Sequence, residues 1–206
     1  MRYTMYYEEN DTIDDEKYDL LKQRLLLEQP KKKFESYTIK KQRFVGGEEG
    51  APDYFLCIKN DDDSQIYMEK KYKQNGIFYK KCEKMTREEC EKLLKGDIEW
   101  MKNHKKLLFA DFYLQSTLNY LSPGPMTIYE REMMKCKREG YVTFCKRIVR
   151  AAGSSTDIFT EDYIPISCLP EEKVRVTYKK EITLPNMVLG MLQMGDEPAD
   201  EFAFAF

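Results

Sequence analysis

The sequence predicts an α+β domain: an eight-stranded antiparallel β-barrel with a polar lumen and flanking helices on its outside. Three observations carry this expectation. Strand-like stretches alternate aromatic or aliphatic residues with charged ones, which gives each strand an apolar face and a wet face. Short turns join most of these stretches, as antiparallel neighbours require. Helical stretches fall between or outside the strands, with apolar positions at helical spacing.

The clearest stretch is 64–85, SQIYMEKKYKQNGIFYKKCEKM. Asn75-Gly76 marks a two-residue hairpin, because a type I′ turn needs φ > 0 at both central positions. In the incoming arm Ile66, Met68, Lys70 and Tyr72 share one face, and Tyr67, Glu69, Lys71 and Lys73 the other. In the outgoing arm Ile77, Tyr79 and Lys81 oppose Phe78, Lys80 and Cys82. A face this charged is either solvated or the lining of a polar cavity.

The other elements follow in order. Arg2 to Tyr7 alternates as a short strand. Asp14 or Asp15 caps a helix to about Glu28, with Tyr18, Leu21, Leu25 and Leu26 on its apolar face. Pro30 and three lysines end it in a solvated loop. Phe34 to Val45 and Tyr54 to Lys59 are strands, separated by a glycine-rich loop. Asp61-Asp62-Asp63 is a solvated turn into the hairpin. Thr86 and Glu89 form a capping box for a helix to about Lys95, which Gly96 terminates. A longer helix runs from Glu99 to about Tyr120, with His104 on its surface, until Ser122-Pro-Gly-Pro125 breaks it. Met126 to Met134 and Tyr141 to about Val149 pair across a turn at 137–140. Residues 151–165 form a loop with a flexible part at 153–155. Val174 to Ile182 is a strand, Pro185 opens a short helix to about Gln193, and 201–206 is a short strand or a mobile end.

The 206 residues suit one domain, 1–206, with a sizeable core. A net charge of −2 argues against a general nucleic-acid binder. The six cysteines form no CxxC pair and His104 is the single histidine, which argues against zinc. The polar N-terminus is no signal peptide, so the cysteines are read as reduced and the protein as cytoplasmic. No apolar run reaches the ~20 residues of a membrane span.

The order of these elements resembles the VTC domain (vacuolar transporter chaperone type) of the triphosphate tunnel metalloenzyme superfamily. The motifs are spread over nearly the whole chain: RYTMYY from Arg2, YTIKKQRFV from Tyr37, Cys57-Ile-Lys59, YMEKKY, GIFYKK, TREECEKLLKG, TIYER ending at Arg131, and LPEEKVRVTYK followed by Pro185. The resemblance implies an antiparallel tunnel in which basic side chains hold polyphosphate, triphosphate or a nucleotide. It also implies glutamates that bind Mn²⁺ or Mg²⁺ beside the phosphates in catalytic members. Carried over by motif, the phosphate-binding set is Arg2, Lys40, Lys59, Lys71, Lys80, Lys81, Arg131 and Lys179. Glu69 is the one matched metal ligand. The other acidic positions hold Thr4 and Thr177, and Tyr6 and Cys57 stand where the family has basic residues. Asp53, Glu130, Glu172 and Glu181 are other carboxylates that such a site could draw on.

Three functions stay open at this point. The leading one is a tunnel that binds a polyanion with impaired or absent metal-dependent catalysis. A second is an active polyphosphate polymerase or triphosphatase using ATP and Mn²⁺ or Mg²⁺. The third is an interaction module whose tunnel is plugged by Tyr6, Tyr79 and Tyr129.

Overall fold

Alternation along eleven strands builds one antiparallel sheet. The computed structural model describes residues 4–6, 8–47, 50–136, 140–152, 157–179, 190 and 197–198. Arg2, residues 137–139 and 153–156, the Pro185 helix, the tail 201–206 and the side chains of Tyr6 and Lys179 lie outside the described residues.

The chain runs β1 (Thr4–Tyr6), β2 (Glu8–Asp14), α1 (Asp15–Glu28), β3 (Glu35–Val45), β4 (Asp53–Lys59), β5 (Ile66–Gln74) and β6 (Ile77–Met85). It continues with α2 (Arg87–Leu94), α3 (Leu107–Asn119), β7 (Ser122–Lys135), β8 (Tyr141–Ala152), β9 (Ile164–Ser167), β10 (Lys173–Lys179) and β11 (Glu197–Pro198). The strand order is β1-β6-β5-β4-β3-β7-β8-β10-β2-β11, with β9 on β8. The expected α+β class and antiparallel sheet are present. The count exceeds eight because β2 extends the N-terminal stretch and β9 and β11 add short pieces.

β1, at one end of the sheet, and β2, which only the two-residue β11 separates from the other end, are neighbours in sequence. β1 pairs with β6, Thr4 opposite Lys80, and β2 pairs with β10, Asp14 opposite Lys173. The N-terminal segment therefore bridges both ends, although no ladder among the described residues closes the sheet directly. One cavity is lined from Thr4 on β1 through to Thr177 on β10, so the sheet wraps around it.

The helices cover the outer face. Asp14 caps α1, its carboxylate accepting the Lys17 N–H at 2.8 Å, and α1 buries Tyr18, Leu21 and Leu25 against Phe144, Val174 and Val176. Leu26 is on the exposed side. The Thr86–Glu89 capping box starts α2, whose Cys90 and Leu93 join a core with Leu108, Phe109 and Phe112 of α3. That core sits on Tyr54, Leu56, Ile58, Ile66 and Met68, the outward residues of β4 and β5. Fully burying one such side chain is worth about 1.5–3 kcal/mol.

Several local expectations change. The helix expected from Glu99 is a 3-10 turn, Glu99–Met101, then a break before α3. At the break His104 Nδ1 accepts the Lys106 N–H at 3.1 Å, and the ring packs on Trp100 and Phe109. That local bond competes with the helical ladder. α3 ends at Asn119, close to the expected Tyr120, but the Ser122-Pro-Gly-Pro run after it is already the start of β7 and not a separate break. Gly124 is required there: a Cβ would stand 2.8 Å from Val45 Cγ1 and 2.9 Å from the Arg43 carbonyl. The hairpin turn is as expected, with Asn75 at φ 52° and Gly76 at φ 78°. The acidic turn disperses its charges: Asp61 meets Lys40, Asp62 accepts the Ser64 N–H, and Asp63 meets Arg87.

Candidate functional site

The cavity is formed by the inward residues of eight strands and has a volume of about 570 Å³. Its most polar wall is the hairpin. Tyr67, Glu69 and Lys71 of β5 and Lys80 and Cys82 of β6 line it, while Ile66 and Met68 point into the core. Ladder register sets Glu69 opposite Cys82 and Lys71 opposite Lys80. Period-two alternation thus separates a charged inner face from an apolar outer one on the same strand.

Glu69 is the centre of this wall. Its Oε1 lies 2.6 Å from Lys80 Nζ and its Oε2 3.1 Å from Lys41 Nζ. Its side chain is 13% exposed. Burial alone would push the carboxyl up, but the Lys41 and Lys80 ammonium groups outweigh it and hold the carboxyl well below its ordinary value. Burial likewise opposes charge on Lys80, and Glu69 reverses that shift. The Cys82 thiol donates toward Glu69 Oε1 at 3.6 Å. Burial and then the Glu69 charge push Cys82 up to about 11, and Cys57 is pushed further. Both thiols stay protonated at neutral pH and are poor nucleophiles.

The rest of the lining is basic and aromatic. Lys59 of β4 lies over the Tyr37 ring at 3.8 Å, and on the hairpin itself Lys71 lies over the Phe78 ring at 4.3 Å. Arg131 on β7 donates from Nη2 to the Tyr129 hydroxyl at 3.0 Å. Its Nε is buried and has no acceptor among the described residues. Lys81 also lines the cavity and pairs with Glu83 at 2.8 Å.

Lys59, Lys71, Lys80, Lys81 and Arg131 of the expected phosphate-binding set are brought together. Lys40 is not. It belongs to the outer face, is buried, and pairs with Asp61 at 2.8 Å. The lumen position is Lys41, one residue on, because Tyr37, Ile39 and Lys41 share the inner face. That alternation was the available signal, and the adjacent lysines concealed it. Lys179 sits on β10 opposite Glu8, at the sheet's far end from the hairpin.

The donors around Glu69 are not those of a divalent-cation site. Glu69 has both oxygens engaged by ammonium groups. Thr4 and Thr177 do line the cavity, and Thr177 donates to Asn10 Oδ1 at 2.7 Å. Asp53 is held by Arg43 at 2.7 Å, Glu130 by Arg147, and Glu172 is exposed. Glu181 lies outside the described residues. Among the described residues no three His, Cys, Asp or Glu side chains converge. This arrangement does not fit a metal on Glu69. Of the tyrosines expected to plug the lumen, Tyr79 stacks on Tyr72, its cross-strand partner, with centroids 4.8 Å apart, and is not in the lining, while Tyr129 is part of the wall. No helix among the described residues is long and apolar enough to cross a membrane.

Solved structures share this architecture. A candidate adenylate cyclase from Bacillus halodurans matches with a TM-score of 0.56 at 9% identity, covering 98% of this chain and 97% of that one. A candidate adenylyl cyclase from Hippeastrum, described as having a dominant triphosphatase activity, matches with a TM-score of 0.56 at 7% identity, covering 98% and 94%. A chain of the Schizosaccharomyces pombe Mediator head module matches with a TM-score of 0.53 at 6% identity, covering 92% and 90%. These likenesses establish the fold. Comparison with curated protein sequences finds no match. The VTC domain family model matches residues 54–184, from β4 to beyond β10 and well over half of the chain. With the tunnel architecture around the same residues, that match places this chain in the VTC domain family, within the triphosphate tunnel superfamily.

Proposed function

We propose that this VTC domain binds a polyanion of the triphosphate class, that is polyphosphate, triphosphate or a nucleotide, in its basic lumen, with metal-dependent catalysis impaired or absent. The observation that carries the reading is the charge of the lining. Lys41, Lys59, Lys71, Lys80, Lys81 and Arg131 face one cavity, and Glu69 is the single carboxylate lining it among the described residues. Like charges at such density repel one another unless an anion offsets them. Ammonium and guanidinium groups are also the side chains that grip phosphoryl oxygens by charge-assisted hydrogen bonds. The cavity volume falls in the range of roughly 300–1,000 Å³ usual for small-ligand sites. The Hippeastrum protein's triphosphatase activity supports the ligand class by analogy of fold.

What the residues supply is binding and neutralisation. Arg and Lys cancel charge along the phosphate chain, and the tyrosines exclude water from its flanks. In catalytic relatives Mn²⁺ or Mg²⁺ would polarise a phosphoryl group. In this chain Glu69 is committed to lysines, which favours binding over turnover.

Titration calorimetry and thermal denaturation with sodium tripolyphosphate test this. Binding at one site is expected, with stabilisation of about 2.7 kcal/mol at a hundredfold excess over Kd. No heat and no thermal shift at millimolar ligand would refute the reading. Incubation with ATP and Mn²⁺ separates the alternative: polyphosphate or released phosphate would assign catalysis as well as binding.

A further inference from the structure

Glu69 is an anomaly in a lumen that is otherwise cationic. Its two oxygens are shared out, one to Lys80 and one to Lys41, which stand on strands on either side of it in the sheet order. The ladder fixes it between Phe55 and Cys82, so it cannot leave the wall by a small shift. Cys82 adds a third donor to the same carboxylate. Among the described residues every close polar contact of Glu69 is a proton donor, which is how a protein surrounds a bound anion.

We propose that Glu69 is the lumen's resident counter-ion: it holds Lys41 and Lys80 while the tunnel is empty, and yields them to phosphoryl oxygens when a polyanion enters. The inference rests on the polyanion reading above. It makes two further statements about that site. Capture is independent of divalent metal, because a cation at Glu69 would have to displace two ammonium groups. Capture also discriminates by charge. An orthophosphate carries about −1.5 to −2, at most one charge more than the carboxylate it must displace. A triphosphate carries more charge and reaches Lys59, Lys71 and Arg131 as well, so it outcompetes Glu69.

No covalent step is involved; one set of charge-assisted hydrogen bonds replaces another. The exchange has a cost, because Glu69 stays in the lumen after losing its partners and repels the ligand. Removing its charge therefore strengthens binding, the reverse of what removing a metal ligand does. A unit charge at that range is worth about tenfold or more in affinity.

The test titrates tripolyphosphate and orthophosphate into the wild type and Glu69→Gln, each in EDTA and in excess Mg²⁺. The wild type is expected to bind tripolyphosphate in EDTA and to bind orthophosphate poorly. Glu69→Gln is expected to bind tripolyphosphate about tenfold tighter and to gain orthophosphate binding. Its melting midpoint falls without ligand and recovers with tripolyphosphate, which replaces the missing charge. If Glu69→Gln does not fold, the wild type in EDTA still decides the metal question. Binding by the wild type only with Mg²⁺, or a Glu69→Gln variant that binds no tighter, overturns the counter-ion role and leaves the polyanion reading intact. A wild type that binds in neither buffer overturns both.

Discussion

Replacing Arg131 by Met separates what the lumen does for stability from what it does for binding. Arg131 donates from Nη2 to the Tyr129 hydroxyl and also contacts Tyr37 and Cys145, and its buried Nε lacks an acceptor among the described residues. An unmet buried donor costs about 1–3 kcal/mol, and replacing buried charge by an apolar side chain of similar volume is often neutral or stabilising by about 1–4 kcal/mol. Arg131→Met is therefore expected to leave stability unchanged or to raise it by about 1 kcal/mol. The effect on ligand is opposite. A phosphoryl oxygen about 4 Å from a guanidinium gains about 4 kcal/mol at an effective dielectric near 20. Ligand desolvation offsets part of that, and a net loss of about 2–3 kcal/mol is roughly a 30- to 150-fold weaker Kd. Urea unfolding reads the first quantity, and tripolyphosphate titration at physiological salt the second. Affinity within threefold of wild type, or a stability loss above about 2 kcal/mol, would show that Arg131 is a structural residue and not a ligand contact.

Two further outcomes follow from the same contacts. Asp111 accepts from the buried Tyr54 hydroxyl at 2.5 Å and pairs with Lys70 at 2.7 Å. Asp111→Ala leaves both without that partner, so a loss of about 3 kcal/mol and a Tm drop of roughly 6–12 °C are expected by calorimetry; a shift under about 2 °C would contradict this. Glu69 has a folded-state pKa below its unfolded one. Its contribution is therefore full above the ordinary glutamate value of 4.5 and is lost as pH falls through the lowered folded value. Unfolding free energy between about pH 6 and pH 3 should fall more steeply for the wild type than for Glu69→Gln, and parallel curves would refute the coupling.

Much of this architecture was legible in the residues. Asn75-Gly76 and its flanking alternation define the hairpin and separate the Glu69–Lys71 face from the Ile66–Met68 face, while the family resemblance is what points the charged face into a lumen. The Thr86–Glu89 box and the Asp14 cap likewise announce their helices through local bonds. Legibility fails where neighbours are chemically alike. Lys40 and Lys41 are identical in kind, so alternation groups Lys41 with Tyr37 and Ile39 but does not say which of the two faces lines the lumen until Asp61 is seen to take Lys40. It also fails where partners are far apart in sequence. Lys41 and Glu69 meet through two intervening ladders, and nothing local to either predicts it. The break before α3 was hidden because His104 bonds to the backbone instead of continuing the helical pattern.

The bridging N-terminal segment has a consequence for how the chain reaches its native state. Glu8 pairs with Lys179 and Thr4 with Lys80. During synthesis β2 leaves the ribosome long before β10 exists, so its ladder edge waits while the hairpin and β7–β8 assemble locally. Closing so long a loop costs about 4–5 kcal/mol of chain entropy, and high-contact-order pairings of this kind form late and slowly. An early strand with a late partner is open meanwhile to pairing with other chains. The tunnel's weakest moment is therefore kinetic: the interval between making its first wall and making the strand that completes it.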